Sequence, residues 1–417
     1  MNSFDLIVIG GGAAGLMACA SAIRNGKHVL LLEKNSKLGV KILMSGGTRC
    51  NITHHCNRQR IVEAFGKQGR FLHSALASLP PSEVVELIES QNVATKVEPG
   101  GKIFPVSNKA IDVRDALVRL ATDCSFAGTC TILKSMACLD VTKQGDTFRI
   151  ITQNEEFISK AVLITTGGKS YPGCGTTGDG YTWAQNFGHE IIDPVAALTP
   201  ITIQDHWSNS LKGITFDDVG VQVMNPTTSG NIQRLNRFRG GFLFTHFGYS
   251  GPTVLNASRE VSRSVKPDTF WLQCDFRPDL NFEQLQQQWQ AELSAKPRQS
   301  ISNVLAEQWP KRFVDHVLKF LEMNPSTKAA EFGKADLHRL LHWTKKAKFE
   351  IEGVYGFKKA EVTAGGVSLN QVDSRNMQSK ICPGLFFAGE VLDLDGPIGG
   401  YNFQSAFSTG WLAGRSC

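Results

Sequence analysis

Near the start of the chain, two apolar runs, Phe4–Ile9 and Val29–Leu32, flank a glycine turn, Gly10-x-Gly12-x-x-Gly15. The first run reads as a buried parallel strand, the segment after the glycines as a helix, and the second run as the next parallel strand. That second strand ends on Glu33, 18 residues beyond Gly15. Gly10 permits a tight turn, Gly12 lets a pyrophosphate approach the backbone, and Gly15 lets the helix sit close to the sheet. The helix start, with Ala14 in its first turn, presents unpaired N–H groups and a positive dipole end to phosphate. Glu33 at the strand tip, with Lys34 beside it, can accept from ribose hydroxyls. The complete unit points to a dinucleotide site.

Further along, a polar Gly-rich stretch follows Glu33, and helical spacing appears around Ser82–Ser90 and Asp112–Asp123. Strand-like runs are expected at Thr131–Val141, Thr147–Thr152 and Ala161–Thr165, the last running into Thr166-Gly167-Gly168. From about Val195 the pattern changes to short alternating segments, Val219–Met224, Phe242–Thr245 and Thr269–Cys274, which read as antiparallel β structure. Helical spacing returns over Phe282–Leu293, Ile301–Met323 and Ala335–Trp343, and α/β patterning resumes from Ala360. This order predicts an α/β domain built from both chain ends. The expected boundaries are 1–194 for its first part, 195–280 for a β-rich insert, 281–346 for a helical insert, 347–358 for a β return and 359–417 for its second part.

Composition adds limits. The chain has 417 residues, 41% hydrophobic and 20% charged, ordinary for a globular enzyme of two or three domains. A strand beginning at residue 4 predicts no signal or transit peptide, and no apolar stretch reaches the roughly 18 residues needed to span a bilayer. The ten cysteines show no zinc-ligand spacing, so reduced thiols, no metal and a cytoplasmic location are expected. Net charge is +6. Eleven Lys/Arg against five Asp/Glu between Ser294 and Lys348 equal that whole excess, which fits either a solvated helix face or a patch for an anionic partner such as RNA.

Two more segments carry chemistry. Lys41-Ile-Leu-Met-Ser-Gly46-Gly47-Thr-Arg49-Cys50-Asn51, just after Val40, packs glycines, hydroxyls and cations closely. Its backbone N–H groups can turn toward phosphate or a flavin edge, and Arg49 can offer a guanidinium fork to an anion. Leu385-Phe-Phe-Ala-Gly389-Glu390 is an apolar strand ending in glycine and acid. Asp393 follows it, and then Gly400-Tyr401-Asn402-Phe403 opens the last helix. Such a strand end can place a carboxylate on ribityl hydroxyls, and the helix start can stabilise negative charge on a flavin. Gly173-Cys-Gly175-Thr-Thr-Gly178 repeats the glycine spacing, but Pro172 interrupts any strand leading into it, so it reads as a loop near the first site. In the insert, Phe244-Thr-His246-Phe-Gly248 supplies one imidazole, and His246 is the candidate insert side chain facing substrate. Cys50 is the other candidate catalytic residue.

With Ala360-Glu-Val-Thr-Ala-Gly-Gly366, these segments resemble the two-dinucleotide-binding-domain flavoproteins. More narrowly, they resemble a bacterial flavoprotein family with a two-part insert, whose members are described variously as aminoacetone oxidases, bile-acid ene-reductases and a ribosomal-RNA dihydrouridine synthase. The resemblance implies a Rossmann-like FAD domain from both chain ends, interrupted by a β-barrel-like plus helical insert. It implies that Ala14 and Gly15 touch the pyrophosphate and Glu33 the adenosine ribose. Val40, Lys41, Gly47 and Arg49 would line the FAD loop, and Met136, on the Thr131–Val141 strand, would flank the adenine. Glu390, Asp393, Asn402 and Phe403 would hold the ribityl and isoalloxazine end. Gly10, Gly12, Lys34, Gly46, Cys50, Asn51, Thr166, Gly167, Gly389, Gly400 and Tyr401 complete the candidate cofactor-binding set. Thr48 departs from the family, where a third glycine is frequent, and Val40 stands where many relatives have a basic residue.

The expected activity is that of an FAD-dependent oxidoreductase reducing a C=C or similar bond with electrons from NAD(P)H. The partner would be a small molecule or uridine in ribosomal RNA. An FAD-dependent amine oxidase using O2, and an RNA-associated protein with structural FAD, are the alternatives.

Overall fold

The computed structural model describes residues 3–203, 210–226, 232–264 and 270–417. It divides into two compact units, one of Met1–Ala196 with Phe357–Cys417, the other of Ala197–Gly356.

In the first unit, the opening apolar run forms β1, Ser3–Ile9, and the second forms β2, His28–Glu33. They pair in parallel with Ile7 opposite Leu30, joined by helix α1, Ala13–Arg24. Leu6, Ile7, Val8, Leu30 and Leu31 are all fully buried, because a parallel sheet is covered on both faces. Strand Glu156–Ile164 lies parallel on the other side of β1, and Leu385–Phe387, from the far end of the chain, lies parallel to Glu156–Ile164. The last helix, Tyr401–Ser416, lies along α1. A Cβ at Gly410 or Gly414 would collide with the carbonyl oxygen of Ala14 or Ala18, so glycine at this spacing lets the two backbones touch. The final turns of the chain are thereby fixed against the helix that starts at the glycine turn.

The sequence expectation fails in two places here. Thr131–Val141 is not one strand: Ser135 takes a left-handed backbone, φ +54°, and splits it into Thr129–Lys134 and Cys138–Gln144. The first piece stays in the parallel sheet beside β2, and the second starts an antiparallel meander with Thr147–Thr152. Met136 therefore sits in the break and not on a strand. Ile301–Met323 is likewise not one helix. It divides into Ile301–Leu305 and Lys311–Phe320 around Pro310, which cannot donate an N–H to a continuing helix. Thr269, expected to start a strand, lies outside the described residues; the strand runs from Trp271 to Asp275.

The second unit carries a seven-stranded antiparallel sheet. Its two edge strands, Ala347–Glu350 and Gly353–Val354, are separated in sequence only by Ile351 and Glu352, so the sheet must curl toward closure. Val219, Val221, Val223, Phe242, Phe244 and Phe349 point inward and are buried. Phe313 of the helical segment stacks edge-on among them, 4.7 Å from Phe216, so the β and helical segments share one core. Among the described residues no helix is long and apolar enough to cross a membrane, and no cluster of His, Cys, Asp and Glu could hold a metal ion.

Candidate functional site

The turn between β1 and α1 is built to receive an anion. Gly12 is the N-cap of α1, no side chain caps the helix, and the space where a Gly12 Cβ would project is empty to 4 Å. The first-turn N–H groups thus face open space. A Cβ at Gly15 would collide with Gly10 O, so only glycine lets α1 approach the turn this closely. Glu33 is buried at the tip of β2. Its Oε2 accepts from Gly11 N at 2.8 Å and its Oε1 from Asn35 N at 2.7 Å, which clamps the turn and leaves a second lone pair on each oxygen. Met136 donates its N–H to the Glu33 backbone carbonyl at 2.9 Å, so the strand break holds it at the end of β2.

The 40–51 segment departs from a plain loop. Val40–Met44 forms a helical turn, then Ser45, Gly46 and Gly47 leave helical geometry, and Thr48 (φ +68°) and Cys50 (φ +60°) follow in left-handed backbone. A β-branched residue there is strained by about 1–3 kcal/mol. Thr48→Gly is expected to raise the unfolding free energy by about 1 kcal/mol, the relief of strain exceeding the added chain entropy; denaturant titration measures it. Cys50 is fully buried, and burial pushes its thiol up to about 12 against a lowering hydrogen bond from Ser45. It therefore stays protonated at neutral pH and is a poor source of thiolate chemistry.

Two cations expected to face a ligand are engaged within the protein. Arg49 pairs with Glu98, donates from Nε to Asn108 Oδ1 at 3.1 Å, and lies over the Phe104 ring at 4.1 Å. Its fork is thus occupied by partners distant in sequence. Lys34 donates to Asp179 Oδ2 and Thr177 Oγ1, both at 2.6 Å.

Both chain ends meet at Lys41, whose Nζ lies 2.6 Å from Glu390 Oε2, with both side chains a quarter or less exposed. Glu390 Oε1 accepts from Thr363 N at 3.0 Å. Thr363 Oγ1 in turn accepts from Lys169 N at 2.8 Å and Ser170 N at 3.1 Å. This threonine, which sequence reading did not single out, locks the Thr166-Gly167-Gly168 loop to the C-terminal acid. Thr166 Oγ1 is buried and has no hydrogen-bond partner among the described residues. Asn51 is satisfied with its amide oxygen 3.0 Å from Gly400 N and its nitrogen 3.1 Å from Thr53 O, tying the 40–51 segment to the last helix. No side chain caps that helix at Gly400. Asn402 closes the preceding loop through Gly396 N and O, at 2.8 and 2.9 Å. Gly389 N donates to Thr409 Oγ1 at 3.0 Å, and Asp393 N to Val367 O at 3.0 Å. Tyr401 stacks on His54 and Phe403 on Phe407. The Gly173–Gly178 segment is a loop whose Cys174 O accepts from Asn35 Nδ2 at 3.0 Å, beside the Glu33 turn. His246 belongs to the second unit, on an exposed turn, with its ring edge-on to Phe247.

Two helix starts without a side-chain cap, open space beyond Gly12 and a buried carboxylate at the tip of β2 fit a dinucleotide held by residues of both chain ends. Fold and site define an FAD-dependent oxidoreductase. The chain belongs to the HI0933-like family, whose Rossmann-domain description matches residues 4–416. It is 34% identical over 416 residues to the ribosomal RNA dihydrouridine synthase of Escherichia coli strain K12, covering 100% of this chain and 98% of that protein. It is 29% identical over 420 residues to the 3-dehydro-bile acid delta(4,6)-reductase of Clostridium scindens, covering 98% of each. Among solved structures, a flavocytochrome c3 fumarate reductase in an open conformation shares the fold, with a TM-score of 0.50 and 14% identity over 100% of this chain and 78% of that one.

Proposed function

We propose that this protein reduces the C=C bond of a ring, with uridine in ribosomal RNA as the substrate class, NAD(P)H as electron donor and the cytoplasm as its place of work. The observation that carries this reading is the end-to-end 34% identity with a ribosomal RNA dihydrouridine synthase. The bile-acid relative, named a delta(4,6)-reductase, supports the same bond type.

In this reading the N–H groups of Gly12, Ala14 and Gly15 take the pyrophosphate, Glu33 the adenosine ribose, and Met136 flanks the adenine. Gly46, Gly47, Asn51, Thr166 and Gly167 line the middle of the cofactor, and Glu390, Asp393, Tyr401, Asn402 and Phe403 its ring end. FAD, when bound, supplies hydride transfer. The Gly400 helix start offers its dipole to negative charge, and the Lys41–Glu390 pair holds the C-terminal segment in register.

The basic segment offers less free charge than its composition suggests. Lys345 is bound to Asp275 at 2.8 Å and to the Arg277 carbonyl, Arg312 donates to Lys212 O at 2.6 Å, and Lys311 donates to Asn303 Oδ1 at 2.7 Å. An open recess of about 690 Å³ sets Lys311 and Lys319 against Asp315 and Glu322. Lys319, Lys328 and Lys346 are, beside Arg298 and Lys334, exposed cations of this segment with no ion pair among the described residues, and they are the three chosen for test. Reversing all three to Glu is expected to reduce the salt slope of RNA binding by about 0.7–0.9 per lost phosphate contact; an unchanged slope removes this surface from the account.

The deciding experiment reduces the flavin anaerobically and adds ribosomal RNA lacking dihydrouridine. Reoxidation with appearance of dihydrouridine is expected. Turnover only of a small amine with O2 and peroxide would replace this reading with amine oxidation, and a flavin that no donor reduces would make it structural.

A further inference from the structure

Phe320, the last residue of helix Lys311–Phe320, is 65% exposed. Among the described residues of the helical segment it is the only exposed large apolar side chain. The rest of its helix follows the usual division. Phe313, Val314, Val317 and Leu318 are buried, while Lys311, Arg312 and Lys319 face water. Phe320 breaks that pattern.

The way the helix ends fixes its place. Glu322 donates its N–H to Lys319 O at 3.0 Å and Met323 to Leu318 O at 2.8 Å, with Glu322 in left-handed backbone at φ +57°. These paired bonds, with Met323 buried, are a closed helix C-terminus and hold Phe320 in helical geometry. Arg339, on helix Lys334–Lys346, donates to Leu321 O at 2.5 Å and so sets a cation against the negative helix end. Rings stand behind Phe320. Its centroid is 6.5 Å from that of Trp343, which is half-buried. Trp343 in turn stacks on Phe276 at 5.6 Å, with planes 5° apart, and lies 6.0 Å from Phe313. Phe276 and Phe313 belong to the buried core, so Trp343 is anchored on its inner side. Phe320 carries the aromatic row out into water.

Cations flank the row. Lys319 precedes Phe320, and Lys346 lies three residues beyond Trp343, one turn along the same helix. Both are exposed, with no ion pair among the described residues. Of the carboxylates close by in sequence, Asp336 is paired with Arg339, and Glu322 borders the recess that Lys319 also lines. A protein partner would call for a contiguous apolar patch of more than a few hundred Å², depleted of charge at its centre. One ring between lysines is not such a patch. A single nucleic-acid strand uses this combination, a π face for the base and positive charge for the phosphates.

We infer that Phe320 is a stacking platform for an unpaired base of RNA, with Lys319 and Lys346 meeting the flanking phosphates. This rests on the RNA partner of the reading above. A duplex hides its base faces, so the surface selects a single strand or an open loop. Every base has a π face, so the platform tolerates any sequence.

The test titrates a short fluorescein-labelled oligouridylate with holoenzyme of wild type, Phe320→Ala, Phe320→Leu and Phe320→Tyr, following anisotropy at several salt concentrations. Circular dichroism and FAD content should match wild type in all three variants, because the ring is exposed. Phe320→Ala and Phe320→Leu should bind about 5–150-fold more weakly, and Phe320→Tyr as wild type does. The salt slope should be common to all four, since no phosphate contact is removed. Wild-type affinity in Phe320→Ala overturns the proposal, and wild-type affinity in Phe320→Leu replaces stacking with plain apolar contact and overturns it too. Wild-type binding no tighter to the single strand than to a duplex of equal length also overturns it. Binding that depends on the Phe320 ring, in a protein that leaves ribosomal RNA unreduced, supports the platform and removes only the substrate reading. Ribosomal RNA reduced and bound equally well by wild type and Phe320→Ala removes only the platform.

Discussion

Gly15→Val is expected to give a protein that retains no FAD. The added Cβ would collide with Gly10 O and stand 2.8 Å from Thr165 Oγ1, so α1 can no longer seat on the turn. Overpacking of this kind costs about 1–3 kcal/mol where the structure can yield. Here the yielding part is the ring of N–H donors for the pyrophosphate, so FAD affinity should fall by at least about 100-fold, or about 2.7 kcal/mol. Gly12→Ala separates ligand loss from misfolding. The space beyond Gly12 is open, so the methyl group meets no protein atom and the fold should stand, but it occupies the route by which a phosphate reaches the backbone. Circular dichroism and flavin absorbance on both variants should show a folded, FAD-poor Gly12→Ala and a colourless Gly15→Val. Wild-type flavin content in Gly15→Val would place the cofactor elsewhere.

Lys41→Met is the second large effect. Among the described residues it leaves Glu390 with Thr363 N as its only remaining donor, in a position where the carboxylate is 19% exposed. Breaking one side of a buried pair costs about 3–5 kcal/mol, and partial exposure lowers that to about 2 kcal/mol here. FAD retention should weaken in parallel, because the same pair joins the two chain ends. Lys41→Met combined with Glu390→Gln should recover most of the stability, since no uncompensated charge is then left. A double-mutant cycle in denaturant measures the coupling; strictly additive losses would show that the pair does not organise the site.

How much of this was legible depended on how local each feature is. The strand, glycine turn, helix, strand and acid from Phe4 to Glu33 could be read because each part lies within a turn or two of the next. The antiparallel insert could be read from its alternation, as in Val219, Val221 and Val223. Contacts set by tertiary structure could not. Nothing about Ser135 announces its left-handed backbone, so Met136 was placed on a strand that does not exist. Arg49 reads as a free cation until Glu98 and Asn108 come together with it. Thr363 sits in a quoted motif, but its role comes from a loop nearly 200 residues earlier. The basic count over 294–348 was correct, while the share of those charges already bound to carbonyls and carboxylates was invisible without coordinates.

The account turns on one cofactor being held jointly by the first and last stretches of the chain. Its most direct test is the absorbance spectrum of the purified protein, with identification of whatever chromophore denaturation releases. An oxidised-flavin spectrum and equimolar FAD are predicted. A colourless protein that takes up no added FAD would contradict the account.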